Sequence, residues 1–106
     1  MINYTTPSIS LTVEGVDLSD QDVYVSLEQG THELTKSGSD LIVDADENDT
    51  IITFTLTQEE SASFNFGKSV SIQVNWISQD GVRDATEIKT IGVMRNLLDE
   101  VIQYGD

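Results

Sequence analysis

Hydrophobic and polar residues alternate most regularly between residues 69 and 76 of the chain. Apolar side chains occupy every second position there: Val70, Ile72, Val74 and Trp76. This period of two is typical of a β-strand with one face buried and one face in water. The stretch ends at Asp80-Gly81, which favours the positive φ values of a compact hairpin turn. We therefore predict a strand that turns back at Gly81.

The second half of this hairpin is rich in β-branched residues between Val82 and Val93. Ile88 has the opposite parity to Ile91 and Val93, so a regular strand would place them on opposite faces. The parity change predicts a β-bulge or a strand break near Lys89-Thr90.

Shorter alternating segments predict four further strands. They cover residues 8–14, 23–28, 32–36 and 50–56. The segment at 32–36 is mostly polar and contains Lys36, which is typical of an edge strand. The acidic run at 44–49 is predicted to be a solvated turn that precedes the last of these strands.

One short helix is predicted directly after the strand at 50–56. Thr57 and Glu60 have the spacing of a capping box, in which a hydroxyl and a glutamate three residues later satisfy the first backbone amides of a helix. The helix is expected over residues 58–64, with Phe64 and Phe66 closing one end of the core.

Turn signals recur about every ten residues, which favours an all-β antiparallel β-sandwich of about six to eight strands. With 106 residues the chain has the size of one domain. We predict a sandwich domain at residues 8–94, an N-terminal arm at 1–7 and a C-terminal helix or docking segment at 95–106. The predicted core includes Phe54, Phe64, Val74 and Trp76.

The two ends of the chain carry apolar residues that the sandwich does not obviously need. Leu97, Leu98, Val101 and Ile102 have helical spacing, and Asn96 is a suitable helix cap. A free helix of a dozen residues is marginal, so this segment requires a surface on its own domain or on a neighbouring subunit. Two further apolar anchors, Ile2 and Tyr4, lie in the N-terminal segment. We predict that these six residues mediate assembly.

The net charge of −14 disfavours direct binding to nucleic acid or to an anionic membrane. An alternative is a small acidic inhibitor that mimics DNA, which requires the acids to lie on one face. The chain contains no cysteine, so it has neither disulfides nor thiolate metal sites. The N-terminal sequence does not have the pattern of a signal peptide, and no apolar run has the length of a membrane span.

The sequence contains few candidate catalytic or metal-binding residues. Asp44, Asp46 and Asn48 have the spacing that opens an EF-hand calcium loop, but Asp49 stands where that loop needs glycine, so they are weak metal candidates. His32 is the single histidine, and no nucleophilic triad can be built around it. We therefore predict no enzyme activity and no cofactor, with a carboxylate-metal hydrolase as the one enzyme class left open. A carbohydrate-binding sandwich that stacks sugars on Trp76 is a further alternative to Trp76 as core.

Residues 50–102 resemble small structural proteins of phages and prophages of Gram-positive bacteria. The resemblance is carried by Thr55-Leu56-Thr57-Gln58-Glu59-Glu60, Ser71-Ile72-Gln73-Val74-Asn75-Trp76, Asp80-Gly81 and Val93-Met94-Arg95-Asn96-Leu97-Leu98. It implies an immunoglobulin-like β-sandwich, without the cysteine pair, that serves as a virion component in a connector, tail, baseplate or capsid. The implied partners are copies of itself and other virion proteins, assembled in the host cytoplasm.

Overall fold

The computed structural model describes residues 1–46 and 48–105. Glu47, in the predicted acidic turn, and Asp106, at the end of the predicted 95–106 segment, lie outside the described residues. The strands are β1 Ser8–Val13, β2 Asp22–Gln29, β3 His32–Ser37, β4 Ile42–Asp46, β5 Asp49–Thr55, β6 Ser69–Ile77, β7 Arg83–Ala85 and β8 Lys89–Gly92, and the helix is α1 Gln58–Ala62. A 3₁₀ turn at Gly38–Asp40 joins β3 to β4.

Two antiparallel sheets form the predicted β-sandwich. One sheet has the order β1-β5-β4, and the other has the order β3-β2-β6-β7, with β8 also paired to β6. This division of the strands is that of an immunoglobulin-like sandwich. The predicted all-β, immunoglobulin-like fold is confirmed, and β3 lies at a sheet edge as its polar sequence indicates.

The core lies between the two sheets and consists of the alternate residues that face inward. It contains Phe54, Phe64, Val74 and Trp76, the four residues expected there, together with Val13, Leu18, Val23, Val25, Leu27, Leu41, Ile52, Leu56, Val70, Ile72 and Val93. Phe66, which was expected beside Phe64, is instead 53% exposed, so that prediction is wrong. The guanidinium of Arg95 lies 5.9 Å from the centre of its ring.

The predicted strand break after the central turn is present, at residues 86–88 rather than at Lys89-Thr90. Trp76 faces Asp84 and Ile72 faces Lys89, so four steps along β6 correspond to five on the opposite side. The extra residue is accommodated at Thr86, whose backbone N donates to Val74 O at 2.9 Å and whose Oγ1 accepts from Val74 N at 3.1 Å. The Thr86 hydroxyl thus takes the place of a backbone carbonyl as the acceptor for Val74 N, and the pairing register with β6 shifts by one residue.

The prediction of a turn over the whole acidic run at 44–49 is wrong, because Asn48 alone among its described residues lies in a turn. Asp44 and Asp46 belong to β4, which pairs with β5, and Asp46 faces Asp49. These carboxylates alternate with Val43 and Ala45. Val43 pairs with the buried Ile52 and Ala45 with the buried Thr50, so Val43 and Ala45 lie on the inward face of the sheet. The acids therefore remain in water while their strand completes the sheet.

The helix prediction is confirmed at its start and is slightly too long at its end. Thr57 Oγ1 accepts from Glu60 N at 3.1 Å, and Glu60 Oε1 accepts from Thr57 N at 2.9 Å, which is the predicted capping box. The helix ends at Ala62 rather than at residue 64.

Residues 95–105, the described part of the C-terminal segment, contain no helix. Asn96 does not begin a helix: its Oδ1 accepts from Leu98 N at 3.0 Å in a local turn. Its own backbone N and side-chain amide are bonded to Asn3, which draws the segment away from helical hydrogen bonding. The helix alternative for this segment is therefore wrong.

Candidate assembly surface

The N-terminal segment forms backbone hydrogen bonds with residues 92–94, at the end of β8 and directly after it, so it is not a free arm. Met1 N donates to Gly92 O at 2.9 Å, Met94 N donates to Met1 O at 2.7 Å and Asn3 N donates to Met94 O at 3.1 Å. The pairing is a parallel bridge between Ile2 and Met94. It places these two apolar side chains next to each other, and both are exposed.

The buried side chain of Asn3 fixes the start of the C-terminal segment. Its Oδ1 accepts from Asn96 N at 3.0 Å, and Asn96 Nδ2 donates to Asn3 O at 3.1 Å. Asn96 donates both bonds and Asn3 accepts both, so together they define one relative orientation of the two residues. The two ends of the described chain are therefore joined side by side.

The far end of the C-terminal segment is held by α1. Gln58 Nε2 donates to Ile102 O at 2.7 Å, and Ile102 N donates to Gln58 Oε1 at 2.9 Å, so one carboxamide mimics the backbone of a neighbouring strand. The helix in turn is tied to the N-terminal segment, because Ser61 Oγ donates to Thr5 O at 2.7 Å. Both termini and α1 thus occupy the same end of the sandwich.

This arrangement creates an apolar surface at that end, which we call the terminal surface. It is defined by Ile2, Met94, Leu97, Leu98, Val101 and Ile102, each of which is at least 42% exposed, and Leu97 reaches 87%. Five of the six predicted assembly residues belong to it. The sixth, Tyr4, is half-buried at a positive φ of 61°.

Sequence reasoning missed the exposure of Met94, Phe66 and Tyr104. Met94 follows the buried Val93 directly, so the period of two carries a signal that it faces outward. Phe66 and Tyr104 lie in irregular segments, where the sequence contains no such signal.

An ion pair ties α1 to the edge strand β3. Lys36 Nζ lies 2.7 Å from Glu60 Oε1, in a half-buried position. Burial alone would raise the pKa of the Glu60 carboxyl, but the hydrogen bond to the Lys36 ammonium, the Thr57 amide and the charge of Lys36 together hold the pKa below its ordinary value of 4.5.

Replacing Glu60 with glutamine should lower the free energy of unfolding by about 1 kcal/mol at pH 7, because it removes the ion pair and weakens the cap. A depressed pKa stabilises the fold above the ordinary value of 4.5, and that contribution is lost as the pH falls through the lowered pKa. Urea unfolding from pH 7 to pH 3 should therefore show the two proteins converging in acid. Glu59→Gln, an equal charge change at an exposed position, is the control, and an identical pH profile for both variants would contradict the assignment.

The candidate metal-binding and catalytic residues lie on β3, on β4 and in the turn that follows β4. Within residues 1–46 and 48–105, no group of three histidine or acidic side chains is placed to hold a metal ion. Asp44 and Asp46 lie on β4 and Asn48 lies in the following turn, so the flanking helices of an EF-hand are absent at this place. His32 Nε2 lies 2.8 Å from Ser63 Oγ, and its ring centre is 4.9 Å from that of Phe64.

The acidic side chains are distributed over both sheets. Glu28 and Glu33 face each other on β2 and β3, whereas Asp44 and Asp46 lie on β4 of the other sheet. Asp80 lies at the turn between β6 and β7. This distribution differs from the single stripe that mimicry of DNA requires. In the described part of the chain, no helix has the length and apolar character needed to span a membrane.

Comparison with known proteins adds a weak likeness in structure. No family model matches the chain, and no curated protein matches it significantly. A solved structure of murine CRIg is similar over 87% of this chain and 95% of that chain, with 13% identity and a TM-score of 0.35. The strand order given above, rather than this weak likeness, is the basis for the immunoglobulin-like assignment.

Proposed function

We propose that this protein is a non-enzymatic assembly module of a phage virion, which binds copies of itself and neighbouring virion proteins through the terminal surface. The observation that carries the proposal is the exposure of Leu97, Leu98, Val101 and Ile102 on a segment that is nevertheless fixed to the fold at both ends. The phage context rests on the resemblance of residues 50–102 to virion proteins. Its place of assembly would be the host cytoplasm and its final location the virion.

Leaving the apolar side chains of the terminal surface in water is unfavourable in free energy. A fully buried aliphatic side chain contributes about 1.5 to 3 kcal/mol relative to an exposed one. Groups of exposed large apolar side chains on a folded protein mark interaction sites. Because side-chain amides hold the segment in a defined position, the segment would lose little conformational entropy when a partner binds it.

The test replaces Leu97, Leu98, Val101 and Ile102 together with serine. We expect a folded protein with an unchanged circular dichroism spectrum and a self-association constant lowered by about tenfold or more, since several apolar contacts are lost. Sedimentation velocity over a range of concentrations measures the association. The control is the double variant Ile42→Ser/Val82→Ser, which removes two exposed apolar side chains that are 68% and 69% accessible elsewhere on the fold.

Two outcomes would contradict the proposal. One is a wild-type chain that remains monomeric and binds no protein of the parent particle. The other is a terminal-surface variant that assembles as well as the control. An unfolded variant would show instead that these side chains belong to the core, against their observed exposure.

A further inference from the structure

The free edge of β1 has the features of an acceptor for an added strand. β1 is the outermost strand of its sheet and pairs with β5 on one side. Leu56 N donates to Pro7 O at 3.0 Å, so by the antiparallel alternation Ile9, Leu11 and Val13 exchange bonds with β5. The backbone groups of Ser8, Ser10 and Thr12 consequently point to the open edge.

This edge lacks the protection that the other edge strands carry. Folded proteins commonly place charges, prolines or bulges on an exposed edge to prevent pairing with another chain. β3 contains Glu33 and Lys36, β4 contains Asp44 and Asp46, and β7 contains Arg83 and Asp84. The sequence of β1, Ser-Ile-Ser-Leu-Thr-Val, contains no charge in a chain whose net charge is −14.

A groove with an apolar floor runs beside the same edge. It has a volume of about 510 Å³ and lies between β1 and the β7–β8 connection. Its floor is formed by Ile72, Val74 and Trp76, and Leu11 on β1 is only half-buried beside it. A strand added to β1 would extend the sheet and place alternate side chains over this floor.

The C-terminal segment of the same chain has the properties of the missing strand. Residues 101–104, Val-Ile-Gln-Tyr, are uncharged, rich in residues that favour strands, and exposed, with neither helix nor turn at 101–103. Gln58 already binds the backbone N and O of Ile102. In an extended segment, the backbone groups of Val101 and Gln103 then point to the opposite side and are available for pairing.

We propose that the β1 edge of one copy accepts residues 101–104 of a second copy as an added antiparallel or parallel strand. The inference deepens the proposed function and rests on it, because it names the partner and the receiving surface. The two segments that would pair, residues 8–13 and 101–104, carry no charge themselves. The groove beside them is lined by Lys89 and also by Glu14, Asp84 and Glu87, so the contact rests on the backbone edge and the apolar floor rather than on charge.

The predicted contact is heterologous, because donor and acceptor are different surfaces of the same chain. Repetition of such a contact gives a ring if the rotation closes and an open filament if it does not. This differs from a two-fold dimer in which two β1 strands pair with each other.

Disulfide trapping tests the contact in the full chain, which has no native cysteine. A Thr12→Cys chain is mixed with a Val101→Cys chain or an Ile102→Cys chain under mild oxidation. Neighbouring residues on paired strands have Cβ atoms about 4.5 to 5.5 Å apart, which small adjustments bring within disulfide range. We expect a covalent heterodimer that forms about tenfold faster than with the matched control Thr35→Cys on the β3 edge.

A second pair of variants blocks the edge without introducing a reactive group. Gly30 and Thr31 form a two-residue turn, so Gln29 and His32 are a bonded pair and the Thr35 amide points outward, as the Thr12 amide does. Thr12→Pro and Thr35→Pro each remove one outward amide from an edge strand. We expect Thr12→Pro to weaken self-association by about tenfold or more and Thr35→Pro to leave it unchanged.

The outcomes separate this inference from the proposed function. Suppose that the wild-type chain self-associates but Thr12→Cys forms no disulfide with Val101→Cys or Ile102→Cys. Residues 101–104 then do not pair with β1, and the inference is wrong. Rapid trapping of Thr12→Cys with itself would indicate β1–β1 pairing and would also overturn it. Equal trapping by Thr35→Cys would show non-specific contact. If the wild-type chain does not associate at all, self-assembly itself fails.

Discussion

Replacing Phe64 with alanine should lower the free energy of unfolding by about 3 to 5 kcal/mol, a large share of the stability of a domain of this size. The Phe64 side chain is fully buried, and its ring packs against that of His32 with 4.9 Å between the centres. Truncation removes these contacts and leaves a cavity between α1 and the sheets. Urea denaturation followed by the fluorescence of Trp76 measures the change.

Phe66→Ala is the matched control for this prediction. It removes the same side chain two positions along the chain, where the ring is 53% exposed and the Arg95 guanidinium lies 5.9 Å from its centre. We expect a change within about 0.5 kcal/mol, as for an ordinary surface substitution. Equal losses of stability in the two variants would show that Phe66 is part of the core after all.

The strands with one fully buried face were predictable from the sequence. In β2 and β6 the buried positions are apolar and recur at every second residue, and in β5 Ile52 and Phe54 do the same, because these residues must face the opposite sheet. The capping box at Thr57 was predictable for a different reason. Its two hydrogen bonds join residues three apart, so the local sequence contains the whole motif.

β4 could not be predicted because its inward positions are filled by Val43 and Ala45 only, at an exposed edge. Its outward aspartates dominate the composition, and an acidic run is more often a solvated turn. The register shift at Thr86 was visible as a parity change, but its position depends on a hydroxyl that bonds to Val74, 12 residues away.

The candidate surface was predictable only in its parts. The apolar residues near both termini were evident, but helical spacing alone cannot distinguish a helix from an irregular segment that is held by other parts of the chain. The bonds that decide the conformation join Asn3 to Asn96 and Gln58 to Ile102, which are 93 and 44 residues apart. The bonds between Asn3 and Asn96 lie beside the strand pairing at Ile2 and Met94, which local sequence does not specify.

Replacing Thr50 with valine should lower the free energy of unfolding by about 2 kcal/mol or more, although the two side chains have nearly the same shape. Thr50 is fully buried on β5, where its Oγ1 accepts from Leu18 N at 3.0 Å and donates to Val16 O at 2.7 Å. The Thr50 hydroxyl therefore holds the loop after β1 against β5, and this contact keeps Leu18 in the core. Valine leaves both backbone groups without this partner, at about 1 to 3 kcal/mol for each group that stays buried.

Thr50→Ser separates the hydroxyl from the methyl group. Serine keeps both hydrogen bonds and loses one buried methyl, so we expect it to be destabilised by only about 1 kcal/mol. Thr53→Val, on the outer face of the same strand, removes a hydroxyl whose bond to Ser10 Oγ is exposed, and its effect should be smaller still. Urea unfolding should rank Thr50→Val as the least stable of the three. A valine variant at least as stable as the serine variant would show that packing, rather than the two hydrogen bonds, fixes this loop.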